Sequence, residues 1–163
     1  MGYFIIIRGP LGVGKSTISK KLTKILHAEY ISMDSILDKY GLAKVDSGYT
    51  PKDFIKANIR ILPEAKNKLK QGKIVIFDGN FYFKEQIKYL VKKLKNYKFY
   101  IFTLKAPLAT CIERDKKRKL SYGKKATEAV YNLVSKFDYG NLIETKKKSI
   151  DQTIKEIFSY LPK

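Results

Sequence analysis

Short apolar runs alternate along the chain with longer stretches in which apolar residues recur every three or four positions. A short apolar run is typical of a buried strand, and the three-to-four spacing is typical of a helix with one buried face. We therefore predict strands over residues 3–7, 30–33, 73–78, 98–104 and 142–145. Helices are predicted over residues 16–26, 35–40, 51–61, 84–95, 107–119 and 127–137, with a last helix that ends at residue 161.

Proline and small polar residues set some of the predicted boundaries. Thr50 and Pro51 predict a helix start, because threonine caps helices and proline fits their first turn. Pro63 is expected to kink that helix, or to split off a second piece that ends before Gly72. The Asp-Ser-Gly segment 46–48 predicts a loop before this helix.

The alternation of strands and helices predicts the class of fold. Parallel strands need crossover connections, and helices supply them while covering the two faces of the sheet. We expect an α/β fold with three α/β/α layers and a five-stranded parallel sheet. At 163 residues the chain is expected to form one domain over its whole length, 1–163.

The composition narrows the class of protein. No stretch approaches the roughly 20 apolar residues of a membrane span, and the only cysteine, Cys111, can form neither an internal disulfide nor a zinc site. We therefore expect a cytoplasmic protein that does not enter membranes. The formal net charge of +19 leaves nucleic acid open as a partner, although lysines occur in every segment and could simply solvate helix faces.

One motif carries most of the functional information. Residues 9–16, Gly-Pro-Leu-Gly-Val-Gly-Lys-Ser, match the loop that binds nucleotide phosphates, with a predicted strand before it and a helix after it. Glycines let successive backbone N–H groups point at one anion, and the helix adds its positive N-terminal end. Lys15 is expected at the β- and γ-phosphates, and the Ser16 hydroxyl at Mg²⁺. The expected nucleotide-binding residues are Gly9, Leu11, Gly12, Val13, Gly14, Lys15, Ser16 and Thr17.

Two carboxylates follow predicted strands. Asp34 comes after the second strand, and Asp78 ends the third, followed by Gly79 and Asn80. Ligands of open α/β sheets bind beyond the carboxyl ends of the strands, so both carboxylates are candidates to hold Mg²⁺ or accept a proton. Simpler alternatives remain: Asp34 as a helix N-cap, and Asp78 and Asn80 as turn residues.

The chain has only four arginines among its 34 basic residues, so each suggests a need for the planar guanidinium. Arg114 and Arg118 are four residues apart and would share one face of the helix predicted from residue 107. Their alternative is a solvated surface with weak contacts to neighbouring carboxylates. Arg60 is either an acceptor-binding residue or an ordinary surface arginine. Arg8 precedes the loop and could instead be structural.

With these motifs in this order, the chain resembles the P-loop kinases. The similar branch includes shikimate kinase, gluconate kinase, chloramphenicol phosphotransferase, the zeta-toxin kinases and the 5′-hydroxyl polynucleotide kinases. The resemblance covers nearly the whole chain and is most specific at residues 9–17. It implies the sheet order 2-3-1-4-5 and a small helical lid at about residues 114–126.

The resemblance also implies roles for individual residues. Lys15, Asp34, Asp78, Arg114 and Arg118 would be catalytic, with Asp34 at the acceptor hydroxyl and the two arginines closing over the ATP phosphates. Ser16 and Asp78 would hold the metal. Acceptor contacts would come from Asp34, Arg60, Gly79 and Asn80.

The sequence therefore predicts an ATP- and Mg²⁺-dependent kinase that phosphorylates a polar or anionic small molecule or nucleotide. The alternative is a nucleic-acid-binding ATPase or a 5′-hydroxyl polynucleotide kinase that uses the basic surface. A GTPase switch is disfavoured, because Asp78 is followed by Gly-Asn-Phe rather than x-x-Gly and because no Asn-Lys-x-Asp motif occurs.

Overall fold

A computed structural model describes residues 1–42 and 48–163. Asp46 and Ser47 of the predicted loop lie outside the described residues. The strands are β1 Tyr3–Arg8, β2 Glu29–Ser32, β3 Val75–Asp78, β4 Lys98–Lys105 and β5 Asn141–Glu144. The helices are α1 Lys15–Leu26, α2 Met33–Lys39, α3 Pro51–Lys70, α4 Lys84–Lys93, α5 Leu108–Lys116, α6 Lys124–Val134 and α7 Ile150–Tyr160. None of the helices in the described ranges has the length and apolar character needed to cross a bilayer.

The five strands form one parallel sheet in the order β2-β3-β1-β4-β5. This confirms the expected sheet order. At the carboxyl edge, Asp78 lies level with Ile7 of β1 on one side and with Ser32 of β2 on the other. The phosphate loop that follows β1 and the carboxylate that ends β3 therefore emerge from neighbouring strands.

The central strand shows how the layers form. Successive side chains of a strand point to opposite faces, and all of β1 from Phe4 to Ile7 is fully buried. Phe4 and Ile6 pack in one apolar cluster with residues of α3 and α4, while Ile5 and Ile7 pack in another with residues of α1 and α7. Burial on both faces explains why this strand has no polar alternation and confirms the three-layer prediction.

Pro63 does not split the second long helix. Helix α3 runs without interruption from Pro51 to Lys70 and begins with a capping box between Thr50 and Asp53. Proline removes one backbone donor from the helix interior, but Leu62 and Ala65 beside it are buried in the α3 and α4 side of the core. Tertiary packing of this face stabilises the helix despite the proline.

Arg8 at the end of β1 is a structural residue. Its guanidinium is fully buried and donates hydrogen bonds to Thr103 Oγ1 at 3.2 Å and to the backbone carbonyls of Phe81 at 3.3 Å, Val134 at 2.9 Å and Phe137 at 3.1 Å. It also lies 4.2 Å from the centre of the Phe137 ring. Burial lowers the pKa of Arg8 to about 10. Arg8 thus ties β1 to β4 and to the end of α6.

Candidate active site

The loop between β1 and α1 has the backbone conformation that its glycines permit. Gly12 and Gly14 have φ angles of 79° and 98°, and Gly14 is the N-cap of α1. A Cβ atom on Gly12 would lie 2.2 Å from the carbonyl oxygen of Cys111 in α5, so a side chain cannot be accommodated there. The loop therefore lies close to α5 and leads directly into a helix N-terminus, where backbone N–H groups favour an anion.

Lys15 is buried at the base of this loop, with 7% of its surface exposed. Desolvation lowers the pKa of Lys15, while the negative charges of Asp78 and Asp34 oppose that shift. A buried cation of this kind gains from an anionic ligand, because an ion held close by offsets its lost hydration. The cleft in front of it has a volume of about 260 Å³ and is lined by Gly12, Gly14, Lys15, Ser16, Thr17, Arg114 and Arg118.

Asp78 is buried at the carboxyl end of β3, with 3% of its surface exposed. Its Oδ2 accepts a 2.6 Å hydrogen bond from the hydroxyl of Tyr30, whereas Oδ1 has no hydrogen-bond partner within the described residues. Burial, followed by the bond to Asp78, raises the pKa of Tyr30, so the tyrosine remains a donor. The tyrosine fixes the carboxylate and leaves one oxygen available for another ligand.

Asp34 lies in the first turn of α2 and does not cap this helix. The N-cap is Ser32, whose hydroxyl accepts the Ser35 N–H at 3.3 Å. The Asp34 side chain lines the pocket beside the loop. Burial raises the pKa of its carboxyl, and the positive charge of Lys15 acts in the opposite direction. The helix-cap alternative is therefore wrong, and the side chain is available for other chemistry.

Gly79 and Asn80 continue from β3 under the same pocket. The Gly79 N–H donates to the Ile7 carbonyl at 3.2 Å, and a Cβ on Gly79 would lie 3.0 Å from that of Met33. Asn80 is buried, and its Nδ2 donates to the Tyr82 hydroxyl at 2.9 Å. Its Oδ1 has no hydrogen-bond partner among the residues described. Gly79 supports the close packing of α2, while Asn80 lines the pocket.

Arg114 reaches the phosphate-loop cleft but is already bonded to the protein. Its Nη1 donates to the carbonyl of Val13 at 3.2 Å and to Thr145 Oγ1 at 3.0 Å, and its Nη2 donates to the Thr145 carbonyl at 3.1 Å. Among the described residues, Arg114 forms no ion pair with Glu113 or Asp115, the neighbouring carboxylates in the sequence. Through these bonds Arg114 holds the backbone of the phosphate loop in position.

Arg118 lies beyond the end of α5, so the predicted helix to residue 119 is too long. It is exposed, lies 5.1 Å from the centre of the Tyr122 ring and lines the same cleft as Arg114. The two arginines therefore approach one cleft from different local structures rather than from one helix face. Arg118 retains more freedom to contact a ligand.

Residues 4–137 match the family model described as an AAA domain. The chain belongs to the AAA domain family. A search of the curated proteins found no match.

This AAA domain protein is similar in fold to solved kinase structures. A sugar kinase from Janibacter sp. HTCC2649 matches with a TM-score of 0.79 and 13% identity over 98% of this chain and 94% of that chain. The APS kinase of Mycobacterium tuberculosis in complex with AMPPNP and APS matches with a TM-score of 0.76 and 18% identity over 97% and 96%. A gluconokinase from Sinorhizobium meliloti 1021 matches with a TM-score of 0.67 and 11% identity over 96% and 90%. At these identities the likeness concerns the fold.

A second pocket of the AAA domain protein lies beside the phosphate loop and has a volume of about 260 Å³. Its lining is acidic and aromatic, and it consists of Leu11, Asp34, Leu37, Asp38, Tyr49, Phe54, Asn80, Tyr82, Tyr122, Ala126 and Val130. We call it the acceptor pocket, after the role that we propose for it below. Sequence reasoning missed Asp38, although its spacing of four residues from Asp34 places both on one helix face.

Arg60 is not part of the acceptor pocket. Its guanidinium lies 5.4 Å from the centre of the Tyr40 ring, and it lines a separate surface groove with Leu42, Lys56, Ile59 and Pro63. The structure does not bring Arg60 to the other predicted site residues. Phe54 is the residue of α3 that lines the acceptor pocket, and Arg60 lies on another side of this helix.

Asp115 is a further residue that sequence reasoning missed. It is buried at the end of α5, where its carboxylate accepts bonds from Ser121 Oγ at 2.7 Å, Tyr122 N at 3.3 Å and Gly123 N at 3.0 Å. The Ser121 bond is the main cause of its lowered pKa. Asp115 folds the segment between α5 and α6 into a turn, which explains why α5 ends at residue 116 and α6 begins at Lys124 rather than at residue 127.

Proposed function

We propose that the protein is an ATP- and Mg²⁺-dependent kinase that transfers the γ-phosphoryl group to a hydroxyl of a small molecule. The observation that carries this proposal is the arrangement of a glycine loop with a buried Lys15 beside two carboxylates and a separate pocket. A donor site and an acceptor site that meet at one carboxylate-lined edge fit a transfer reaction. Phosphoryl transfer depends mainly on positioning and electrostatic stabilisation, which such a site supplies.

The residues of the loop fit a nucleoside triphosphate. Gly12 and Gly14 supply the positive φ angles with which the loop enters the N-terminus of α1, and Lys15 lacks the hydration that a free ammonium would have. We assign Lys15 to the β- and γ-phosphates and the exposed Arg118 to the charge that develops on the transferred group. Arg114 would hold the loop in place from its bonds to Val13 and Thr145.

The residues also fit Mg²⁺ bound together with phosphates. Within the described ranges, no group of three or more His, Cys, Asp or Glu side chains forms a metal site by itself. The Ser16 hydroxyl and Oδ1 of Asp78, which has no partner in the part of the chain that the structure describes, are oxygen ligands of the kind that Mg²⁺ prefers, directly or through water. When bound, Mg²⁺ supplies charge neutralisation to the phosphate oxygens.

Asp34 is assigned to the acceptor hydroxyl. Burial raises the pKa of Asp34, which makes its carboxylate a stronger base than an ordinary aspartate, while the positive charge of Lys15 acts in the opposite direction. In the proposed transfer the acceptor oxygen forms a bond to the γ-phosphorus. The bond between that phosphorus and the bridging oxygen to the β-phosphate breaks, ADP leaves, and the hydroxyl proton passes to Asp34.

The names of the similar structures agree with this proposal. They include a sugar kinase, a gluconokinase and an APS kinase that was solved with AMPPNP and APS. We extend from them only the class of reaction, namely transfer of a phosphoryl group from a nucleotide. The cytoplasm remains our expected location.

ATP binding and acceptor screening test the proposal in two steps. Isothermal titration with ATP and Mg²⁺ should give binding by the parent protein and by Lys20→Ala, an exposed lysine on the same helix, but strongly weakened binding by Lys15→Ala. ADP release should then be measured across sugars, amino alcohols, nucleosides, acidic metabolites and 5′-hydroxyl oligonucleotides. Equal ATP affinity in Lys15→Ala and the parent would contradict the loop assignment.

The alternative function keeps the same donor site with a polynucleotide acceptor. The net charge of +19 is the observation that favours it. Transfer of labelled phosphate to a 5′-hydroxyl oligonucleotide, weakened steeply by salt, would support this alternative over a small-molecule acceptor.

A further inference from the structure

The acceptor pocket has an unusual charge for a site that adjoins a phosphate loop. Two of its lining side chains, Asp34 and Asp38, are carboxylates, and no lysine or arginine occurs among the described residues that line it. The cations of the neighbouring region, Lys15 and Arg118, line the phosphate cleft instead. Among the described residues, an anionic acceptor would therefore meet two like charges in the lining of this pocket and no cation.

The two carboxylates lie one turn apart on α2. A separation of four residues along a helix corresponds to about 6 Å and places side chains on the same face. Asp38 contributes to the raised pKa of Asp34, which indicates that their charges act on each other. Asp34 is close enough to Lys15 for its negative charge to act on the pKa of that lysine. Asp38 lies one helical turn farther along α2. A molecule in the pocket could thus present one group to each carboxylate.

Aromatic rings also line the acceptor pocket. The Phe54 ring centre lies 5.1 Å from that of Tyr49 and 5.6 Å from that of Tyr82, and Tyr122 adds a fourth ring from the segment between α5 and α6. The faces of such rings attract organic cations. Carboxylates combined with aromatic faces are a common chemical environment for an ammonium group.

Asn80 adds an independent observation. Its side chain is more than nine-tenths buried and lines the pocket, and its Oδ1 accepts no hydrogen bond among the described residues. A buried carbonyl oxygen without a partner is costly and is normally satisfied by a bound donor. Ammonium and hydroxyl groups are both such donors, whereas a carboxylate or phosphate is not.

From these contacts we propose that the acceptor is a small hydroxylated amine, an amino sugar or amino alcohol, with its ammonium at Asp38 and its reacting hydroxyl at Asp34. This inference rests on the proposed kinase function and specifies its substrate class. It narrows the polar or anionic acceptor expected from the sequence to a polar cation, because Arg60, the arginine that the sequence offered as an acceptor-binding residue, lines a different groove. The aromatic rings hold the carbon skeleton, and Asn80 Oδ1 accepts a hydrogen bond from it.

The test uses matched acceptors that differ in charge. Glucosamine, glucose and gluconate share six carbons, and ethanolamine, ethylene glycol and glycolate form a smaller series. For each compound, phosphoryl transfer from ATP and binding by saturation-transfer NMR are measured with the same protein preparation. We expect at least one ammonium member to be used at least 10-fold better, in kcat/KM, than its neutral match, and the carboxylate members to be neither bound nor phosphorylated.

Asp38→Asn should abolish that preference and leave ATP affinity unchanged. Glu64→Gln, an exposed carboxylate on α3, is the matched control and should retain the preference. A thermal melt of each variant verifies folding. A merely structural role of Asp38 would lower transfer to ammonium and neutral acceptors alike, and that result would overturn the proposal.

Three other outcomes would also overturn it: better use of a carboxylate acceptor, equal use of ammonium and neutral acceptors, or no ammonium compound bound or phosphorylated. ATP titration separates these failures from failure of the proposed function. If ATP binds with Lys15 dependence, only the acceptor class is wrong. If ATP does not bind, the kinase assignment itself fails.

Discussion

Arg114 Nη1 donates a 3.2 Å hydrogen bond to the carbonyl oxygen of Val13, so a side chain of α5 holds the backbone of the phosphate loop. The same guanidinium bonds both the hydroxyl and the carbonyl of Thr145, directly after β5. The loop is therefore fixed from two elements that lie far from it in sequence. This arrangement separates the expected effects of the two arginines near the cleft.

Arg114→Ala should lower both stability and nucleotide affinity. Removing the guanidinium leaves the Val13 and Thr145 carbonyls without these donors, and a lost buried hydrogen-bond partner costs about 1–3 kcal/mol. Arg118→Ala should keep the melting temperature and lower the rate of transfer by about 10²-fold, since it removes a charge from the reacting phosphate alone. Urea unfolding, ATP titration and turnover distinguish the two. Unchanged stability in Arg114→Ala would contradict its positioning role.

The sequence predicted the sheet better than the site. Strand β1 could be predicted because it is apolar from Tyr3 to Ile7, which reflects the burial of Phe4 to Ile7 on both faces of the sheet. The order of the strands came from the resemblance to P-loop kinases, since apolar patterning does not specify which strands are neighbours. Pro63 shows that the preference of a single residue can mislead. The proline predicted a kink or a split, but packing of Leu62 and Ala65 keeps α3 continuous.

At the site, the loop and both strand-end carboxylates were predicted because their residues are contiguous or end a strand. Long-range contacts were not predictable. The spacing of Arg114 and Arg118 suggested one helix face, but the bonds to Asp115 end the helix between them. The aromatic lining of the acceptor pocket comes from three separate segments, at residues 49–54, 82 and 122, so no local spacing could identify it.

Asp115→Asn should destabilise the turn between α5 and α6. The asparagine loses one acceptor oxygen and places N–H donors near the N–H of Gly123, at an expected cost of about 1–3 kcal/mol. The pKa of Asp115 is held below its ordinary value of 3.8, so its contribution is present at higher pH and is lost as the pH falls through the folded-state pKa.

Melting curves from pH 6 to pH 2 check this prediction. The difference in melting temperature between the parent and Asp115→Asn should be largest near pH 6 and should shrink below pH 3.8. Glu64→Gln, which changes an exposed carboxylate on α3, provides the control and should show no comparable difference. A constant difference for Asp115→Asn across this range would contradict the role of its charge.

Arg8→Lys should loosen the attachment of α6. A lysine ammonium concentrates its donors at one point and cannot reproduce the four hydrogen bonds that the guanidinium makes to Thr103, Phe81, Val134 and Phe137. We expect a loss of about 2 kcal/mol or more in the free energy of unfolding. Hydrogen exchange should accelerate in α6 more than in α4. Unaltered exchange in α6 would show that other contacts hold this helix.

Asp34→Asn separates stability from chemistry. Because the folded protein raises the pKa of Asp34, its ionised form costs folding free energy as the pH rises through that pKa. Replacement by asparagine should therefore leave the melting temperature at pH 7 no lower than that of the parent. Transfer should fall by about 10²-fold or more, since a positioned general base contributes about 10²–10⁴-fold.

The pH profile of kcat/KM tests the same carboxyl in the parent enzyme. Activity should rise with pH as Asp34 loses its proton, with a midpoint above the ordinary value of 3.8. Asp34→Asn should remove this rise from whatever activity remains, whereas Asp151→Asn should retain it. Because the base acts on the acceptor and not on the nucleotide, ATP affinity should stay unchanged. A parent-like pH profile in Asp34→Asn would assign the proton to another group.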